Sequence, residues 1–233
     1  MKLNGVKRNS ISKKFDVSTL KKIAKMHGPK VTVNDIVLSF VSVGMQKFMR
    51  KHEDMDSKSI NLLMPYSLRT LPKDDASIQL NNDFAILCYT QPLNADFAEA
   101  VKATSKITQD MKNSQYPFGN ELLLWLISLM PSLIGQIIVM WMCSKATMVM
   151  SNVPGIKEGY KFGEAQSVGF VGLIPGIGDL AIGISATSSR DRLYMAVQAD
   201  TFYIENPEEI VDSFELLYDE QVQVLNAANG PLI

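Results

Sequence analysis

The sequence predicts an α/β domain, a mixed sheet flanked by helices, and three observations lead there. Strand-like apolar runs alternate with helical periodicity along the chain, which is the pattern of a layered domain. The segment from about Thr32 to Lys51 is apolar around nearly its whole circumference, so it must be buried on most sides. The last 28 residues carry a strongly signalled amphipathic helix.

In order along the chain, Asp16 is placed to cap a short helix whose Leu20, Ile23 and Ala24 share a face, and Gly28-Pro29 ends it. The apolar helix that follows takes its start between Thr32 and Asn34, with the side chains of Asn34 and Asp35 as caps. Ile60–Ser67 and Phe84–Thr90 read as strands on either side of a polar loop, Arg69–Asn82. A helix from Ala95 to about Asn113 puts Phe97, Val101, Thr104, Thr108 and Met111 on one stripe.

Leu122–Ser144 then runs 23 residues without a charge. As one helix it would reach across a hydrocarbon core of about 30 Å. Pro131 argues for two shorter helices, Leu122–Met130 and Pro131–Ser144, with the proline at the first position of the second. An interfacial patch, core packing and a single membrane span all stay open for this stretch. Strands are expected near Thr147–Asn152, Gln166–Leu173, Ile182–Thr187 and Leu193–Ala199, the last two joined by the polar turn Ser188-Ser189-Arg190-Asp191. Asn206, Pro207 and Glu209 predict a capping box for the final helix, which buries Val211, Phe214, Tyr218, Val222 and Leu225.

Composition narrows the function. Charged residues are 20% and hydrophobic ones 46%, as in ordinary globular chains, and the net charge is −1. No global field recruits nucleic acid. The basic cluster between Lys2 and Lys30 lacks the interleaved aromatics of an RNA surface. Cys88 and Cys143 have no metal-ligand spacing and read as buried thiols of a reducing compartment, and no secretory leader is expected at the start.

Two motifs invite catalytic or cofactor readings. His52-Glu53-Asp54-Met55-Asp56 has the H-x-x-x-D spacing of a base and its orienting carboxylate. It lies at the polar exit of a helix, among Arg50, Lys51 and Glu53, so the catalytic reading of His52 and Asp56 is disfavoured. His27 has no acid three or four residues on. Gly176-Ile177-Gly178-Asp179-Leu180-Ala181 fits a loose dinucleotide fingerprint, but a strand-like segment follows where that motif needs a helix. No metal site and no bound cofactor are expected.

Val33-Asn34-Asp35-Ile36-Val37-Leu38, Met64-Pro65-Tyr66-Ser67-Leu68-Arg69 and Met150-Ser151-Asn152-Val153-Pro154-Gly155, in that order, resemble the C-terminal half of the wax ester synthase/diacylglycerol acyltransferase family of O-acyltransferases. Gly169–Asp200 follows that family's succession of Gly/Pro-rich loop, strand, turn and strand. The resemblance implies the C-terminal domain of a coenzyme A-dependent acyltransferase-like fold, within the chloramphenicol acetyltransferase-like superfamily. Residues 1–30 would be a linker exit with a first short helix, and 31–233 the domain proper. The family's HHxxxDG signature is not in this sequence, whose two histidines stand 25 positions apart.

The implied role is to shape an acyl and acceptor tunnel without supplying the base. Asn34, Asp35, Asn152, Pro154 and Gly155 would be its substrate-binding residues. Implied partners are fatty acyl-CoA as co-substrate, a long-chain alcohol or diacylglycerol, a membrane or lipid-droplet surface, and an N-terminal catalytic half on another chain. The expected location is intracellular and peripheral to the endoplasmic reticulum or lipid droplets, with a single-pass membrane protein as the alternative. A non-catalytic lipid-binding module is the rival function.

Overall fold

A computed structural model describes residues 3–67, 84–153, 155, 161–174 and 180–229. The chain opens with β1 (Lys7–Ile11) and β2 (Phe15–Asp16), followed by α1 (Val17–His27) and α2 (Val33–Lys51). β3 (Ser59–Ser67), β4 (Phe84–Pro92) and α3 (Phe97–Asn113) come next, then α4 (Tyr116–Ser128) and α5 (Ser132–Cys143). β5 (Met148–Val153), the short pair β6 (Lys161–Phe162) and β7 (Ala165–Gln166), β8 (Ile182–Ser189), β9 (Arg192–Asp200) and α6 (Glu208–Asn229) complete it. The predicted α/β class, a mixed sheet with flanking helices, is the one found.

The main sheet runs in the order β1-β9-β8-β5-β3-β4, with β2 also on β9. β3, β5 and β8 are mutually parallel neighbours, through Leu62↔Met148 and Val149↔Gly183, while the remaining pairs are antiparallel. Alternation along the parallel strands sends residues to two faces. Leu62, Met148, Met150 and Ile184 join the large core with α1, α2, α3 and α6. Leu63 and Val149 face the other way and meet Cys143 at the end of α5.

Helix α2 fills the centre of the large core, and every residue from Asp35 to Met45 is buried. Gly44 allows α6 to approach, since a Cβ there would stand 2.7 Å from the Phe214 ring. Asp16 caps α1 by accepting from the Thr19 amide at 2.6 Å, as its sequence predicts. At α2, however, the cap is Thr32, in a capping box closed by Asp35, and Asn34 takes no part. That frees Asn34 for a different contact.

Four further expectations are corrected. β1 and β2 lie in a segment read without strands, because the KRNSI stretch lacks an apolar alternation; pairing with β9 creates them. Of the expected strand Gln166–Leu173 only Gln166 pairs, as the end of β7. The rest lies as a loop on β8, where the Thr187 hydroxyl receives the Gly172 amide at 3.2 Å and Ser185 donates to the Gly172 carbonyl. Pro131 is the residue before α5, not its first. Glu209 does not reach back to Asn206; its carboxylate meets Lys51 at 3.0 Å and His52 at 3.2 Å, tying the start of α6 to the end of α2.

The uncharged stretch is split as Pro131 requires. Helices of 13 and 12 residues span ~20 Å and ~18 Å, short of a ~30 Å hydrocarbon core. Among the described residues no helix is long and apolar enough to cross a membrane, so the single-span reading falls. The loop Arg69–Asn82 and residues 175–179 lie outside the described residues. Ala181 leads directly into strand β8, so no helix follows the Gly-rich fingerprint.

Candidate functional site

The N-terminal end of α2 meets the C-terminal end of β5. There the Asn152 amide donates to Asn34 Oδ1 at 2.9 Å, joining two motifs 118 residues apart. Ligands of open sheets with parallel strands gather outside the strands' carboxyl ends, and this contact sits at such an end. A cavity of about 330 Å³ opens against it, within the range of small-molecule pockets. Asn34, Asn152 and Thr108 form one wall, and Met64, Pro65, Tyr66 and Ser67 of β3 another. Leu87, Met111 and Lys112 complete the lining, and Lys112 is its one charged member among the described residues.

Asp35 stands behind that wall and is 1% exposed. Its Oδ2 accepts from the Thr32 amide at 2.8 Å and the Thr32 hydroxyl at 2.9 Å, and its Oδ1 accepts from Thr108 Oγ1 at 2.6 Å. A buried carboxylate needs such partners, and these three donors fill it. Asp35 therefore fixes Thr108 and the helix start, and does not itself line the cavity. Its charge also reaches Tyr89, whose hydroxyl is driven well above the usual phenol range first by burial and then by this carboxylate.

Of the other residues expected to bind substrate, Pro154 lies outside the described residues. The Gly155 amide donates to Ser188 Oγ at 3.2 Å, and a Cβ there would collide with the Ser188 carbonyl oxygen. Only glycine lets the chain pass β8 that closely, so Gly155 is placed to hold the exit of β5. Asn34 and Asn152 line the cavity, Asp35 and Gly155 support it. Thr108 and Lys112 were not singled out from the sequence. Thr108 stood on the predicted buried stripe of α3, and nothing local showed what it would face.

His52 lies at the far end of α2, 18 residues or ~27 Å along the axis from Asn34. Its side chain is half exposed, and its ring rests on Phe48 at 4.4 Å. Its Nε2 meets Glu209, whose carboxyl is held below the usual range by Lys51 and then by His52. Asp56 is exposed, and its amide donates to Asp54 at 3.2 Å. The structure thus gives His52 a glutamate from α6 as partner and places it away from the cavity. Among the described residues no group of His, Cys, Asp and Glu is arranged to hold a metal.

Residues 80–220 match the family model of the WS/DGAT C-terminal domain. Proteins of two Mycobacterium tuberculosis strains, CDC 1551 / Oshkosh and H37Rv, named as candidate diacylglycerol O-acyltransferases, are each 28% identical to this chain over 174 residues. The match takes in 72% of this chain and 38% of each relative. In structure, the chain is similar to the wax ester synthase/diacylglycerol acyltransferase from Marinobacter aquaeolei VT8, at TM-score 0.62 and 14% identity, over 97% of this chain and 50% of that one. It is similar as well to the epimerization domain from the third module of tyrocidine synthetase B, at TM-score 0.58 and 11% identity, over 95% of this chain and 49% of that one. The PapA2 acyl transferase gives TM-score 0.54 at 8% identity, over 93% and 44%. These structures share the fold, and this chain spans about half the length of each.

Proposed function

As the chain belongs to the wax ester synthase/diacylglycerol acyltransferase family through its C-terminal domain, we propose that it is the C-terminal half of a fatty-acyl-CoA-dependent O-acyltransferase making wax esters or triacylglycerol. It shapes the acyl and acceptor site and leaves the base to an N-terminal half carrying HHxxxDG, on another chain or upstream. The observation that carries this reading is the Asn34–Asn152 contact on the cavity wall. Two locally ordinary motifs, a helix start and a strand end, are brought together where a ligand fits.

The chemistry follows from what each side chain has left to offer. Asn34 has given its carbonyl oxygen to Asn152 and keeps its amide N–H groups. Asn152 keeps its carbonyl oxygen. Amide N–H donors and a carbonyl acceptor thus remain on the cavity wall, enough to orient a thioester carbonyl or an acceptor hydroxyl. Transfer also needs a group that takes the hydroxyl's proton as the oxygen attacks the thioester carbon. His52, solvated and paired with Glu209 far from the cavity, is not that group.

Purified alone, the chain is expected to bind palmitoyl-CoA yet transfer no palmitoyl group to hexadecanol or diacylglycerol. Asn152→Ala should weaken that binding by about 1 kcal/mol, the usual worth of one hydrogen bond. Turnover by the chain that disappears with His52→Ala would sink this account.

A specific observation also favours attachment to a lipid surface. Helices α4 and α5 and the turn between them expose Trp125, Leu129, Leu133, Ile137 and Trp141 among other large apolar side chains. An exposed apolar area of this extent marks an interaction surface. The chain would then sit peripherally on a membrane or lipid droplet, dipping this hairpin into the headgroup boundary. The same surface would serve a non-catalytic lipid-binding module, and the palmitoyl-CoA measurement separates the two.

A further inference from the structure

We infer that Lys112 is the anchor for the anionic end of a long-chain ligand, so that the cavity at the start of α2 receives the acyl-CoA and not the neutral acceptor. This rests on the acyltransferase reading above and assigns one of its two substrates to a place.

The lining has two kinds of surface. Met64, Pro65, Leu87 and Met111 present an apolar bed suited to a hydrocarbon chain. Two of the polar groups around it are engaged with the protein: Thr108 donates to Asp35, and Asn152 donates to Asn34. Those partners orient a ligand, but none carries a charge that faces the cavity. Lys112, exposed in the last turn of α3, does. Among the described residues it makes no hydrogen bond or ion pair, so none of them takes up its three ammonium donors.

The other hollows lack this combination. Lys102 and Lys106, on the same helix, share their depression with Glu99 and Asp110, so the charges offset. The depression beside His52 is edged by Glu205 and Glu209 and disfavours an anion. The groove between α4 and α5 is apolar and has no charged lining residue among those described. Of these four hollows, counted over the described residues, the cavity at Asn34 alone pairs an apolar bed with a net positive rim. A hydrocarbon chain ending in phosphates or a carboxylate matches it, and charge-assisted bonds at the edge of an apolar wall are the stronger kind.

The test measures binding of submicellar palmitoyl-CoA, palmitate and hexadecanol to the chain by equilibrium dialysis. Lys112→Gln should weaken palmitoyl-CoA about tenfold, leave hexadecanol unchanged, and lose its effect as salt rises. Lys112→Arg should restore binding, while Lys106→Gln, a matched change on the same helix, should do nothing. Ser67→Trp, which fills the rim, should remove palmitoyl-CoA binding. A matching loss for palmitate would mean that Lys112 takes a carboxylate as well as the coenzyme's phosphates. Palmitoyl-CoA binding that is indifferent to Lys112→Gln, or equally weakened by Lys106→Gln, overturns the anchor. Wild-type binding of hexadecanol without palmitoyl-CoA makes the cavity the acceptor's and also overturns it, with the transferase reading intact. Binding of none of the three removes that reading itself.

Discussion

Helix α2 and the α4–α5 hairpin are alike in sequence and opposite in surroundings. Both are apolar on nearly all sides. In α2 eleven consecutive residues, Asp35–Met45, are buried between the sheet, α1, α3 and α6. In the hairpin Trp125 is 56% exposed, Leu133 68% and Trp141 62%, while Ile127 and Cys143 reach buried positions. Apolar character therefore does not decide burial; the number of packing partners does. Where partners surround a helix, the result is a core. Where they cover one side, the result is a surface that water disfavours and lipid accepts.

The contrast is broken most directly by truncating one aromatic in each region. Phe40 is fully buried and stacks on Phe97 with centroids 5.3 Å apart. Phe40→Ala should lower stability to urea by about 3–5 kcal/mol, since it removes apolar burial and leaves a cavity. Trp125→Ala should change it by no more than about 0.5 kcal/mol, as expected of an exposed position. Comparable losses at the two sites would mean that the hairpin is packed, and the distinction would fail.

The same contrast shows what the sequence could disclose. The buried stripes of α1, α3 and α6, the full circumference of α2 and strands β3, β4, β5, β8 and β9 all lie close to where periodicity puts them, because burial and period are the same fact seen twice. β1 escaped because its own residues are mostly polar and its register with β9, through Lys7↔Asp200 to Ile11↔Ala196, is a non-local pairing. The site divides likewise. That Asn34 and Asn152 matter was readable from their motifs, and each had a sound local explanation as cap or turn. Their meeting was not readable, since it depends on the start of α2 arriving at the end of β5. The cap of α2 fell to Thr32 because its hydroxyl, and not the Asn34 side chain, is the group that reaches the Asp35 amide, at 3.4 Å.

A change of charge sharpens the comparison on the lipid side. If the hairpin dips into a lipid surface, Trp125 is worth about 2 kcal/mol of apolar burial there, so Trp125→Glu should weaken association with phosphatidylcholine liposomes roughly thirtyfold. Flotation through a density gradient reads this directly. Val41, as apolar in sequence but enclosed in α2, makes no contribution to such binding. A wild-type chain that stays at the bottom of the gradient, or a Trp125→Glu chain that floats as well as wild type, removes the membrane surface.

The smallest effect concerns the end of α5, which is held on the sheet. Cys143 ends α5 and packs with Leu63, Val149 and Leu180 on the sheet. Burial, and then the nearby Cys88, raise its thiol above the ordinary value of 9.0, and burial alone raises Cys88. The thiolate is the reactive form, so a raised value means less of it at any given pH. Alkylation of Cys143 by iodoacetamide should thus be slower than for a free thiol at pH 8, and should climb only as the pH passes above 9.0. Because its foothold is on the sheet and not on the exposed side, liposomes should leave that rate unchanged within about twofold. Acceleration on adding lipid would show α5 lifting off the sheet as it binds, and the hairpin would then be a moving part where the present geometry makes it a fixed one.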